Sequence, residues 1–145
     1  MSSLKNFLID LFYEGIIQNE QVASILQSYP LFIPIPLHAS KLKSRGYNQS
    51  RFLAEGLGKR MGLEMKDILS RAKRTKSQFG LTREKRIENI SHAFVLKPER
   101  KNLVKGKAII LIDDVLTSGS TLLEAARILK RNGAKKVFGL TLARD

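Results

Sequence analysis

Residues 109–129 place an apolar run, an acidic pair, a hydroxyl-rich turn and an amphipathic helix in immediate succession, and few folds accommodate that order. Ile109-Ile110-Leu111-Ile112 is apolar, β-branched and uninterrupted, as expected of a strand buried on both faces. Asp113-Asp114, Val115-Leu116 and Thr117-Ser118-Gly119-Ser120-Thr121 follow. Leu122, Ala125, Ala126 and Leu129 then share one face of a helix that is predicted to stop at Asn132-Gly133. The turn therefore lies at the carboxyl end of a strand, where open α/β sheets take their ligands.

The residue types in that turn suit a phosphate. Backbone N–H groups converge at the start of a helix, and the helix dipole adds partial positive charge there. Gly119 allows close approach of the backbone, while Thr117, Ser118, Ser120 and Thr121 add hydroxyl donors. Asp113 and Asp114 cannot themselves hold a phosphate. Beside one, they can accept hydrogen bonds from sugar hydroxyls or meet a hydrated Mg²⁺ on a neighbouring pyrophosphate. A sugar phosphate satisfies both halves of the motif; the plainer alternative is a strand-to-helix turn in which the Asp pair caps nearby amides.

A chain of 145 residues is sized for one domain, and 43% hydrophobic with 27% charged residues is a globular composition. With no cysteine and only His38 and His92, neither a disulfide nor a thiolate zinc site can form. Any metal is expected to arrive with the substrate. Lys5, Asp10 and Glu14 interrupt the apolar opening at helical spacing, which predicts an amphipathic helix rather than a leader or a membrane span, and a cytoplasmic protein. The net charge of +13 is concentrated: residues 41–107 hold 19 Lys and Arg against 6 Asp and Glu, and the rest of the chain balances at 7 against 7. Such a sign-biased stretch points to an anionic partner, either a small phosphate ester or a nucleic acid.

Along the chain, Leu4, Leu8, Leu11 and Phe12 predict a helix ending near Gly15, and Val22, Ile25 and Leu26 a second, short one. Residues 1–29 are thus expected to be a helical segment, serving as a hood or partner surface, ahead of a domain at 30–145. Leu31 to Leu37 reads as a strand whose Pro34 and Pro36 argue for irregular pairing or an edge position. His38 to Ser50 reads as a basic loop leading into a helix that carries Phe52, Leu53, Leu57 and Met61. Short strands are predicted at Asp67 to Arg71 and Ala93 to Leu96, with a Thr82-capped helix between them and a final strand at Lys136 to Leu142. This alternation implies an α/β fold with a mainly parallel sheet in three layers.

The run from Ile109 to Thr121 resembles the signature of the type I phosphoribosyltransferases. The resemblance implies that Asp113 and Asp114 engage the ribose hydroxyls of 5-phosphoribosyl-1-pyrophosphate. Thr117, Ser118, Gly119, Ser120 and Thr121 would hold its 5′-phosphate, and Mg²⁺ would be carried near the Asp pair by the pyrophosphate. The loop after the first strand, with Lys43, Arg45 and Gly46, takes the pyrophosphate role; the alternative for it is a solvated basic turn. Arg74, Lys76 and Gln78 fall where the family has a mobile loop that closes over the site.

Ile35-Pro36-Leu37-His38, Arg45-Gly46-Tyr47-Asn48-Gln49 and Arg74-Thr75-Lys76-Ser77-Gln78, with Leu81, Arg86 and Asn89, look like blocks of the ComF family, which is linked to natural transformation. Its members often carry an N-terminal four-cysteine zinc element, and this sequence has no cysteine. The resemblance implies a phosphoribosyl-binding protein that transfers phosphoribosyl to a nitrogenous base. The competing expectation is a single-stranded DNA-binding protein that uses the basic region 41–107 without turnover. A homodimer or a competence-protein partner is the protein contact that fits either one.

Overall fold

The computed structural model describes residues 2–28, 31–72 and 80–145. Its centre is the predicted signature strand, β5 (Ala108–Leu116), which runs between β1 (Leu31–Pro34) and β6 (Lys136–Arg144); β2 (Glu64–Met65) lies outside β1, and all pairs are parallel. Period-two alternation sends Ile109 and Leu111 to one face of the sheet and Ile110 and Ile112 to the other. Both faces are apolar because both are covered by other elements.

One covering layer consists of α1 (Ser2–Ile17), α2 (Glu20–Gln27) and α4 (Gln49–Met61), which bury Ile9, Phe12, Ile16, Leu26, Leu53 and Leu57 with Phe32 and Ile110. The helical segment at residues 2–28 therefore packs directly on the sheet. An ion pair between Asp10 and Arg60 adds a polar tie to α4. The opposite layer holds α5 (Arg83–Ile90), α6 (Ser120–Arg131) and a two-stranded antiparallel ribbon of β3 (Leu69–Arg71) and β4 (Phe94–Leu96). The three-layer, mainly parallel α/β architecture is as the sequence predicts.

Three local differences have physical causes. The basic segment after β1 is a helix, α3 (Ala39–Arg45), because His38 caps its start and Gly46, at φ 81°, closes its end in the left-handed region. Pro98–Leu103 forms a 3₁₀ turn opened by its proline. Thirdly, β1 is an internal strand in spite of its prolines. The Ile35 N–H donates to Ile112 O of β5 at 2.9 Å, whereas Phe32 O faces β2 and accepts from the Lys66 N–H at 2.9 Å. Alternation points Pro34 toward the β2 side, beyond the last β2 pair at Phe32 and Met65, so no ladder donor is lost there.

Candidate functional site

The carboxyl ends of β1 and β5 open into a cleft of about 160 Å³. Asp113 and Asp114 line it from β5, Lys41 and Arg45 from α3, Ser50 from the start of α4, Thr121 from α6 and Arg71 from the end of β3. Two carboxylates and three cations thus face one small space.

The carboxylates are held in place by their own backbone. Asp113 Oδ1 accepts from the Asp114 N–H at 2.9 Å and from Ser50 Oγ at 2.9 Å, and Asp114 Oδ1 accepts from the Val115 N–H at 2.9 Å. Burial pushes the Asp113 carboxyl up to about 7, and the neighbouring Asp114 charge adds to the effect. The Ser50 hydroxyl and the Asp114 amide pull the other way without cancelling it. Asp113 is therefore poised to exchange a proton near neutrality, so anything cationic brought beside it favours the carboxylate.

The turn after β5 is shaped as a cradle. Gly119 caps α6 at φ 80°, Ser118 Oγ and Ser120 Oγ lie 2.9 Å apart, and the Ser120 N–H donates to Ser118 Oγ at 3.4 Å. Ser120 is buried, Thr117 is exposed, and Ser118 and Gly119 lie between those extremes. A Gly119→Ala chain must hold a side chain in the left-handed region, at a cost of ~1–2 kcal/mol. Chemical denaturation should read that loss; equal midpoints for the two proteins would show that the turn relaxes without strain.

The loop cations are sorted by the helical register of α3. Lys41 and Arg45, four residues apart, share the face that meets the cleft, while the expected Lys43 is exposed and does not line it. Gly46 lines a larger neighbouring cavity of about 480 Å³, together with Tyr47, Phe52 and Arg71. His38 is a capping residue whose Nδ1 accepts from the Ser40 N–H at 3.2 Å. Asn48 caps α4 through the Ser50 N–H and donates to Ile35 O at 2.9 Å, fixing the end of β1 against α4. Arg74, Lys76 and Gln78 lie outside the described residues. Lys41, Ser50 and Arg71 join the site only through the fold, Ser50 from 63 residues before Asp113.

The chain belongs to the phosphoribosyl transferase domain family, whose model matches residues 43–145. Within that family its relatives are of the ComF type. It is 35% identical over 113 residues to Competence protein F of Haemophilus influenzae, covering 77% of this chain and 49% of that protein. It is 33% identical to DNA utilization protein YhgH of Escherichia coli (77% and 48% covered) and 31% identical to Competence protein ComFC of Streptococcus pneumoniae (78% and 47%). The chain spans about half the length of these curated relatives. The fold is also that of a structure described as the allosteric regulatory enzyme of purine biosynthesis, at a TM-score of 0.58 and 14% identity over 95% of this chain and 25% of that one.

Proposed function

We propose that this chain binds 5-phosphoribosyl-1-pyrophosphate with Mg²⁺ in the cleft above β1 and β5 and transfers the phosphoribosyl group to a nitrogenous base. The observation that carries the reading is the meeting in one cleft of the Asp113-Asp114 pair with Lys41 and Arg45, beside the Gly119 turn. Each part of a phosphoribosyl diphosphate then has a chemical counterpart. Carboxylate oxygens accept hydrogen bonds from the ribose hydroxyls, the N–H groups and hydroxyls of residues 117–121 receive the 5′-phosphate, and the α3 cations face the diphosphate.

Among the described residues there is no cluster of three or more His, Cys, Asp or Glu able to hold a metal. The adjacent carboxylates suit a Mg²⁺ shared with ligand phosphates, since that ion usually takes one or two carboxylates and completes its shell with phosphate and water. When bound it would neutralise charge on the diphosphate. Displacement at the anomeric carbon passes through an oxocarbenium-like state, as in glycoside cleavage. Asp113 and Asp114 hold the ring and favour positive charge developing on it, and Lys41 and Arg45 stabilise the departing diphosphate. Calorimetric titration with the magnesium complex of 5-phosphoribosyl-1-pyrophosphate tests the reading directly: saturable binding supports it, and no binding to the folded protein ends it.

A second reading draws on the concentration of the whole net charge in residues 41–107 and on relatives named for DNA utilization and competence. In it the chain holds single-stranded DNA, mostly through its phosphates. Tyr47, with Phe52 beside it, offers little aromatic surface for stacking. Affinity for an unstructured oligonucleotide should then fall at least tenfold between roughly 50 and 200 mM salt, with little dependence on sequence. A salt-independent titration would leave DNA without a role. No helix among the described residues is long and apolar enough to cross a membrane.

A further inference from the structure

We infer that Ser50 is a positioning residue that aims the Asp113 carboxylate at a ribose hydroxyl and so sets the preference of the cleft for ribose over a deoxy sugar. The inference rests on the phosphoribosyl reading of the site and gives a role to a residue that the sequence motifs do not contain.

Ser50 is placed by a closed circuit of hydrogen bonds that runs through three elements. The Ile35 N–H, just past β1, donates to Ile112 O of β5, the residue immediately before Asp113. Ile35 O accepts from Asn48 Nδ2 at 2.9 Å, and Asn48 Oδ1 accepts from the Ser50 N–H at 3.0 Å. The circuit closes where Ser50 Oγ donates to Asp113 Oδ1 at 2.9 Å. Every link has an ordinary hydrogen-bond length, so the hydroxyl is fixed relative to the same strand that carries the acid.

Ser50 is 4% exposed, and a buried hydroxyl is costly unless its hydrogen bond is made. Packing alone would be met by an alanine. The cap of α4 is supplied by Asn48, which leaves the Ser50 hydroxyl to reach another element. Asp113 Oδ1 thus receives two donors, Ser50 Oγ and the Asp114 N–H. The plane of the carboxylate is set from a helix as well as from its own strand, and Oδ2 is left to serve a ligand. Asp114 is held differently, through the N–H of the adjacent Val115. The Ser50 donor also favours the ionised carboxylate, which is the stronger acceptor for a sugar hydroxyl. The phosphate turn at residues 117–121 is built without Ser50. Loss of this hydroxyl therefore acts on the recognition of sugar hydroxyls and spares that of the phosphate.

The test is a cycle between protein and ligand. Wild type and Ser50→Ala are each titrated with ribose 5-phosphate, 2-deoxyribose 5-phosphate and 3-deoxyribose 5-phosphate, with thermal melts to establish folding. Ser50→Ala should weaken ribose 5-phosphate about fivefold or more, while one of the two deoxy sugars, the one lacking the hydroxyl that Asp113 receives, should bind both proteins within about twofold. Wild type alone should already prefer ribose 5-phosphate to that deoxy sugar by about fivefold or more. Unchanged ribose 5-phosphate affinity in Ser50→Ala overturns the inference, as does a wild type that binds all three ligands equally. Equal losses for all three ligands in the variant also overturn it, because the hydroxyl would then only support the fold. Absence of binding of 5-phosphoribosyl-1-pyrophosphate to wild type is a different failure, since it removes the phosphoribosyl reading and this inference with it.

Discussion

The Asp113→Asn/Asp114→Asn double variant should lose saturable binding of the magnesium complex of 5-phosphoribosyl-1-pyrophosphate while keeping its fold. The two side chains keep an oxygen that can accept from the Asp114 and Val115 amides, so the local hydrogen bonds at 2.9 Å have a route to survive. The charge that strengthens bonds to sugar hydroxyls and attracts a cation disappears. With each charge-assisted interaction contributing roughly tenfold or more, affinity should fall by at least about 100-fold. Calorimetry of both proteins at one magnesium concentration reads this directly. If the double variant binds like wild type, the carboxylates are not ribose ligands.

The single variant Asp113→Asn should be more stable than wild type at alkaline pH. In the folded chain burial raises the Asp113 pKa from 3.8 to about 7. Between those values the folded protein holds a proton that the unfolded chain has released, so the stability this group supplies is complete at low pH and is lost as pH rises through about 7. A displacement of that size is worth at most ~4 kcal/mol, which sets the ceiling for the gain in the uncharged variant. Paired thermal melts should therefore coincide near about pH 3, below the unfolded pKa, and separate by several degrees near about pH 8, with the variant higher. Melts that coincide at both values would mean that Asp113 is not held protonated by its surroundings. The same linkage predicts that a ligand bringing Mg²⁺ beside this carboxylate favours the ionised form and releases protons when it binds below about pH 7, seen as a dependence of the binding heat on the buffer.

The central strand, its turn and α6 were legible because each carries a strong local pattern: an unbroken β-branched run, an obligatory glycine and an apolar helical face. The first strand was legible as a strand but not in its position, since the harmlessness of Pro34 depends on where β2 stops. The seven-residue α3 was missed because a single apolar residue, Leu42, among charged neighbours gives no period to read. That miss carried into the site. Read as a loop, residues 41–45 offer Lys43 and Arg45 as equals, whereas the helix turns Lys43 away and brings Lys41 in. Ser50 and Arg71 reach the cleft through tertiary packing, and no spacing rule links either of them to Asp113.

No residue of α3 is buried, and Ala39, Leu42 and the capping Gly46 border an open cavity instead of core. The helix that presents Lys41 and Arg45 to the cleft is therefore anchored by its caps and contributes little to the hydrophobic cohesion of the domain. Changes along it can retune charge and reach without endangering folding, so the charge that this wall offers to the cleft can rise, fall or vanish on an otherwise unchanged scaffold.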